Sequence, residues 1–465
     1  MEHNSPSSSV IQTGSKEIDK LLTMIITSTQ DALAEYKKSG AGLPSPHATE
    51  AHPLDSASDE FALKRALRIL EGACETLCTT LAQPMHTILN RSMPFEAQCM
   101  RLIVENRIAD LLEKFPNGLH VAEIASKTKN QMNPRKLGQV MGLLAARGCF
   151  REVSENTFTN NRLSLTLVST NPVASMVHLC SYEIQKSINV LPEAMTDPEY
   201  AITESAEKSA YTFAVRDEGA TSFYGWYQKH PELQGQFDHA MIGLSRVEGS
   251  LSIVNNYPWS DLPQGTTFCD VGSGVGTIPL ALAKAHPNLR IILQDLPGAI
   301  EEAKQLWKTE FPEAIETGKV TFKAFDFFAE SPMEDQDFYY MKHIMHNSPD
   351  AEAIKILKNI AAVMKPSSCV LIHEIVMMDG VRSAEDQESQ ATSMAKAQEP
   401  LLPNYGSGNL RHHNQNLNML GLFNARQRTR GQFRALGESA GLELVEVLDL
   451  VEMHVLKFQK INVGA

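Results

Sequence analysis

At 465 residues the chain exceeds what one hydrophobic core organises, which predicts two domains with some irregular extension. Its 43% hydrophobic and 21% charged residues exclude disorder over most of the length, and a net charge of −13 disfavours phosphate-dependent binding, so no nucleic acid is expected as a partner. No apolar run reaches the length of a membrane span, and the start MEHNSPSSSV lacks the basic and apolar regions of a signal peptide, which predicts a cytoplasmic protein with no membrane partner.

In chain order, Ile18, Leu21, Leu22, Ile25, Leu33 and Tyr36 recur at helical spacing before Gly40, predicting one amphipathic helix. Residues 39–58, rich in Pro, Gly, Ser and His, read as a flexible linker that completes an N-terminal segment 1–58. From Phe61 onward, Leu63, Leu67, Leu70, Cys74, Leu77 and Leu81 alternate steps of four and three, a narrow seam suited to another helix. A second subunit would supply that partner, so a homodimer with intertwined N-terminal helices is expected. The seven cysteines include no Cys-x-x-Cys pair and read as buried thiols in a reducing compartment; Cys74 and Cys78 share a helix face.

Within 59–175, a helix through Leu102–Leu112, a short helix over Val121–Lys127 and a third opened by Asn133-Pro134 and stopped near Gly148 precede a hairpin of 150–153 with 157–159. This is the pattern of a winged helix. Such units bind DNA in many regulators, and Arg135 and Lys136 stand early in the third helix, but its Leu137, Val140, Leu143 and Leu144 read as core and the basic excess is small. A helical connector, 176–256, follows.

From 257 to 465 the pattern changes to short apolar strands alternating with amphipathic helices, the mark of a doubly wound α/β sheet. Strands are expected at Thr267–Val271, Arg290–Gln294, Val320–Ala324, Asp337–Lys342 and Ser368–Glu374, with helices at Ile278–Ala285 and Ala351–Met364. Between the first strand and its helix lies Asp270-Val271-Gly272-Ser273-Gly274-Val275-Gly276. Glycines there let a ligand approach the backbone at the sheet's carboxyl edge, and the spacing Gly-x-Gly-x-Gly departs from the Gly-x-Gly-x-x-Gly of a pyrophosphate-binding turn. Asp270 beside the turn suits a cationic ligand such as S-adenosylmethionine, which carries no phosphate. Asp295 closes the next strand, where a carboxylate accepts ribose hydroxyls in adenosylmethionine and dinucleotide enzymes alike.

The order Asp270-Val-Gly-Ser-Gly-Val-Gly, Gln294-Asp295-Leu296-Pro297, Phe325-Asp326-Phe327-Phe328 and Met341-Lys342-His343-Ile344-Met345-His346-Asn347-Ser348-Pro349-Asp350 resembles the plant caffeate O-methyltransferase-like family, above all its fungal members acting on secondary metabolites. The resemblance runs over roughly 97–460. It implies a Rossmann-like methyltransferase domain behind an all-α and winged-helix dimerisation domain, S-adenosylmethionine as cofactor, a phenolic or polyketide-like acceptor, and no metal. Carried over by position, Asp270, Gly272, Gly274, Gly276, Asp295, Leu296, Asp326, Phe327 and Lys342 would hold the cofactor, with Asp326 near the adenine amino group and Lys342 near the polar tail. Phe237, Met241, Asn347 and Asn418 would line the acceptor pocket.

Methyl transfer from a sulfonium requires at least partial deprotonation of the acceptor, and a phenol with a pKa near ~10 is mostly neutral at pH 7. By the resemblance His346 is the base and Glu374 the acid that orients it. Two positions depart from the family pattern: Gln427 stands where a second glutamate is common, and Asn347-Ser348 where Asp-Trp is common. Base activation would then rest mainly on Glu374, and Ser348 leaves room beside the site. His412-His413 with Asn414 and Asn416 lack an accompanying carboxylate cluster and read as pocket or loop residues. Two rival functions remain: the same fold using bound adenosylmethionine as a positioned cation for a pericyclic or rearrangement step, and a winged-helix regulator.

Overall fold

The structure, a computed structural model, describes residues 12–57, 59–382 and 390–461. Ser15 caps the first helix, Lys16–Lys38, its side chain accepting the Ile18 N–H. The second long helix, Phe61–Leu81, packs against the first. This corrects the expected partner of the seam: Leu63 and Ala66 bury against Ala32 and Tyr36, and Ala73 against Leu21, Ala397, Leu401 and Tyr405, all within one chain. A heptad-like period identifies an apolar face without saying what covers it. Part of the expected linker is also anchored, because Arg162 donates to both Asp55 oxygens (2.9 and 2.8 Å).

The next unit comprises helices Phe95–Glu105, Ile108–Glu113, Val121–Lys127 and Pro134–Ala146, with a small antiparallel sheet of Leu119–His120, Arg151–Ser154 and Thr157–Thr159. The single helix expected over 102–112 breaks at Arg107, whose backbone is left-handed (φ 49°). In the Pro134–Ala146 helix the buried row is Leu137, Met141 and Leu144; Leu143, expected in the core, is exposed. Helices predominate from 172 to 256.

The C-terminal part of the chain is built on seven strands: β1 (Thr266–Val271), β2 (Leu289–Asp295), β3 (Val320–Ala324), β4 (Phe338–Lys342), β5 (Cys369–Glu374), β6 (Leu442–Asp449) and β7 (His454–Lys460). Their order is 3-2-1-4-5-7-6, parallel except for β7, which runs against both β5 and β6. Strands buried on both faces read as apolar runs, which is why β1, β2, β4 and β5 lie within one or two residues of their expected positions; the more exposed edge strand β3 also lies where expected. Phe268, Leu293, Trp307 and Tyr340 belong to the core on one face, and Val271, Ile356, Ile372 and Phe433 to that on the other. The order reverses between β1 and β4, so the crevice outside their carboxyl ends is where an open α/β sheet binds ligands. No helix among the described residues is long and apolar enough to cross a membrane.

The N-terminal helices meet the segment around 401–408 at close quarters. A Cβ on Gly408 would lie 2.0 Å from the Arg68 carbonyl oxygen, and one on Gly72 2.6 Å from that of Tyr405. Gly408→Ala should therefore cost about 1–3 kcal/mol through overpacking. Thermal unfolding is expected to show a lower Tm, and an unchanged Tm would mean that the helix is not seated this closely.

Candidate active site

At the carboxyl end of β1 the chain turns through Gly272, Gly274 and Gly276, all with positive φ (81°, 55° and 75°). A Cβ at Gly272 would strike Ile344 at 2.5 Å and one at Gly276 would strike Leu293 at 2.0 Å, whereas nothing lies within 4 Å of one at Gly274. Two of the glycines thus let the turn pack against the sheet, and the third leaves its approach open. The Gly272 and Ser273 N–H groups donate to the Gln294 carbonyl (2.8 and 3.2 Å). The Asp295 carboxylate accepts from the Gly274 N–H and the Leu296 N–H (both 2.7 Å). Asp295 therefore fixes the turn, and each oxygen retains lone-pair capacity for another donor.

After β3, Asp326 accepts from the Phe328 N–H (2.9 Å), and Phe327 packs edge-on to Phe328 near Gly272. Asp270 is buried inside β1, where burial first, and the Asp295 charge second, raise its carboxyl well above the usual range against the pull of Lys342. Lys342, at the end of β4, is half-buried; burial lowers its ammonium pKa, opposed by Glu248, Glu374 and Asp270.

Beyond β4, Met345–Asn347 form a single tight helical turn. It is held by Glu374, a fully buried carboxylate at the end of β5, whose Oε1 accepts the Met345 and His346 N–H groups (3.0 and 3.4 Å). Burial opposes charge on Glu374, but the His346 imidazole, with His343 and the backbone donors, outweighs it and holds the carboxyl below its ordinary range. His346 Nδ1 lies 3.0 Å from Glu374 Oε2 and 2.9 Å from the Gln427 amide. The Gln427 contact has hydrogen-bond alignment, whereas Oε2 is an ion-pair neighbour out of line. If Nδ1 carries the proton, the amide presents its oxygen to the ring, an orientation set by the hydrogen-bond network. His346 Nε2 has no partner among the described residues.

Arg428 secures the same turn from the other side, donating to the Met345 carbonyl, the Ser348 carbonyl (2.6 Å) and Asp350 Oδ1 (2.8 and 3.0 Å). Asn347 donates to the His343 carbonyl (2.9 Å) and Asn418 to Gln415 (3.1 Å). Phe237 and Met241, on the helix Gln234–Val247, pack with Tyr227 and Phe423. Ser348 lines a cavity of about 310 Å³ with Tyr200, Asp350, Asn416 and Leu420. His412 stands in the first turn of the helix Leu410–Phe423, buried with neither ring nitrogen hydrogen-bonded and Nε2 3.7 Å from Glu452. It belongs to neither a loop nor an open pocket, correcting the sequence expectation.

Sequence reasoning missed one pair. His343, in a left-handed backbone (φ 56°), contacts buried Glu248 through Nε2 (2.8 Å) and stacks on His346 with centroids 4.7 Å apart. Burial opposes ionisation of Glu248, but His343, with Lys342 and Arg411, outweighs it and brings the carboxyl to about 2.

The sheet order and the glycine turn at its reversal define a methyltransferase fold. Residues 201–400 match the O-methyltransferase domain family. The chain is 35% identical over 441 residues to 3-O-methyltransferase 2 of Phanerochaete chrysosporium, spanning 94% of this chain and 96% of that protein. Among solved structures, OxaC in complex with sinefungin and meleagrin is similar with a TM-score of 0.68 at 18% identity, covering 96% of this chain and 100% of that one. A structure described as a pericyclic reaction enzyme is similar with a TM-score of 0.64 at 16% identity, covering 88% and 96%. The chain belongs to the O-methyltransferase family, an S-adenosylmethionine-dependent family of enzymes.

The Glu248–His343 pair sets a pH dependence of stability. A carboxyl held at about 2 contributes stability that is fully present above the ordinary carboxylate pKa and is lost as pH falls through its folded value. Glu248→Gln should be less stable than the parent at pH 7, with the difference shrinking between about pH 4.5 and 2. Denaturant unfolding across that range checks it; a pH-independent difference would show that Glu248 acts through packing alone.

Proposed function

We propose that this enzyme methylates a hydroxyl group, phenolic or enolic, of a small secondary metabolite, with His346 as general base. The observation that carries the reading is the His346 ring, held through Nδ1 by Gln427 and Glu374 and presenting an unpartnered Nε2. Adenosylmethionine, when bound, supplies an electrophilic methyl group on a sulfonium. The residues around the crevice suit it: Gly274 with open space above it, Asp295 with remaining acceptor capacity for ribose hydroxyls, and Lys342 for a carboxylate tail. Gly272, Gly276 and Leu296 shape the turn, Asp326 and Phe327 border the adenine side, and Asp270 gains ionisation near a positive charge.

His346 Nε2 would take the acceptor's proton, leaving its oxygen able to receive the methyl group that bound adenosylmethionine would supply. Glu374 and Gln427 favour the imidazolium that forms, one by charge and the other by its amide oxygen. Phe237, Met241, Asn347 and Asn418 border the acceptor. His346→Ala should leave adenosylmethionine binding intact by calorimetry while lowering turnover of a phenol by a factor on the order of 100 or more. Glu374→Gln should lose less, and the residual rate of the alanine variant should rise toward the phenol's pKa. A small, pH-insensitive loss would indicate an acceptor already ionised, such as a carboxylic acid. A product without the added methyl mass would favour the rearrangement reading.

Asp295→Asn, which can accept from only one of the two backbone N–H groups, should weaken adenosylmethionine binding at least tenfold through loss of charge-assisted hydrogen bonds. Unchanged affinity would remove Asp295 from the cofactor site.

The winged-helix-like unit and the helices before it are proposed to dimerise. Leu81, Met85, Ile88, Leu89 and Phe95, 58–83% exposed, are the apolar side chains that such a partner would cover. Sedimentation at micromolar concentration is expected to give a dimer and Ile88→Asp with Leu89→Asp a monomer. A monomeric parent would overturn this.

A further inference from the structure

Three donor-hungry atoms meet at the base. His343 Nδ1, His346 Nδ1 and Glu374 Oε2 lie within 4.8 Å of one another, with Oε2 3.0 Å from His346 Nδ1 and 3.9 Å from His343 Nδ1. Two of them, His343 Nδ1 and Glu374 Oε2, are buried without a hydrogen-bond partner. Around an ion with bonds of about 2.0–2.2 Å, tetrahedral ligand atoms stand roughly 3.4 Å apart. The remaining polar atoms already have the supports of a metal site: His343 Nε2 meets Glu248 at 2.8 Å, and Glu374 Oε1 accepts two backbone N–H groups. His343, with its side chain 17% exposed, borders solvent and gives an ion a way in.

We propose that His343, His346 and Glu374 form a binding site for a borderline divalent transition-metal ion, Zn2+ or Co2+, whose occupancy switches the base off. Two imidazoles and a carboxylate suit such ions better than Mg2+ or Ca2+. The rings stack at 23°, so their lone pairs converge only when the His343 ring turns about its Cβ–Cγ bond, a broad torsion. An ion on His346 Nδ1 displaces the Gln427 amide and occupies that lone pair. The neutral ring then keeps its proton on Nε2, the nitrogen that would otherwise take the acceptor's proton. The inhibition, though not the binding, rests on the proposed role of His346.

The test titrates metal-free full-length enzyme with Co2+, whose visible absorption strengthens on four-coordinate binding, and competes it with Zn2+. One equivalent should bind the parent. His343→Gln should bind at least tenfold more weakly, Glu248→Gln about 10–100-fold more weakly, and both should bind adenosylmethionine as the parent does. Zn2+ should inhibit methylation by the parent, a chelator should restore it, and His343→Gln should resist the metal. Equal Co2+ affinity in parent and His343→Gln overturns the site, as does a thiolate charge-transfer band, which would place the ion on Cys74 and Cys78. Binding that needs His343 yet leaves turnover untouched would uphold the metal site and overturn His346 as the base.

Discussion

The site depends on one buried negative charge. Glu374 sits at the end of β5 with no exposed surface, where an unpaired carboxylate would cost several kcal/mol. Its environment is therefore obliged to answer it, and the answer is the turn that carries His346: two backbone N–H groups on one oxygen and two imidazoles around the other. Arg428 grips the carbonyls of the same turn, so a strand end, a helical turn and the segment before the helix Arg430–Ser439 are locked together. His346 is positioned by this arrangement more than by any contact of its own backbone with a regular element.

The two halves of the chain are coupled through polar contacts near that charge. Glu248 caps the helix that bears Phe237 and Met241, and its contact with His343 joins the helical connector to the end of β4. On the other side, the N-terminal helices pack on Leu401, Tyr405 and Gly408, immediately before the helix Leu410–Phe423 that carries Asn418. A segment remote in sequence thus braces one wall of the site.

What the sequence disclosed follows the range of the forces involved. The β1–turn–helix was legible because positive φ demands glycine locally, and β1, β2, β4 and β5 because burial on both faces writes apolar runs. The strands β6 and β7 were not identified: at this antiparallel edge, Glu443, Glu446, Lys457 and Lys460 interrupt the apolar pattern. The helix over 61–81 had a readable face and an unreadable partner. His343 and Glu248 are 95 residues apart, and neither stands in a pattern that announces the other.

The glutamine at 427 also follows from charge. Two carboxylates, Glu374 and Glu248, are already held ionised within reach of Lys342 in a buried setting. A third anion at 427 would repel both at low effective dielectric, where such terms are large. Gln427 keeps an oxygen against His346 Nδ1 when its amide is suitably turned, without adding charge. The Glu248–His343 pair thus already brings a negative charge from the helical connector, on the far side of the stacked imidazoles.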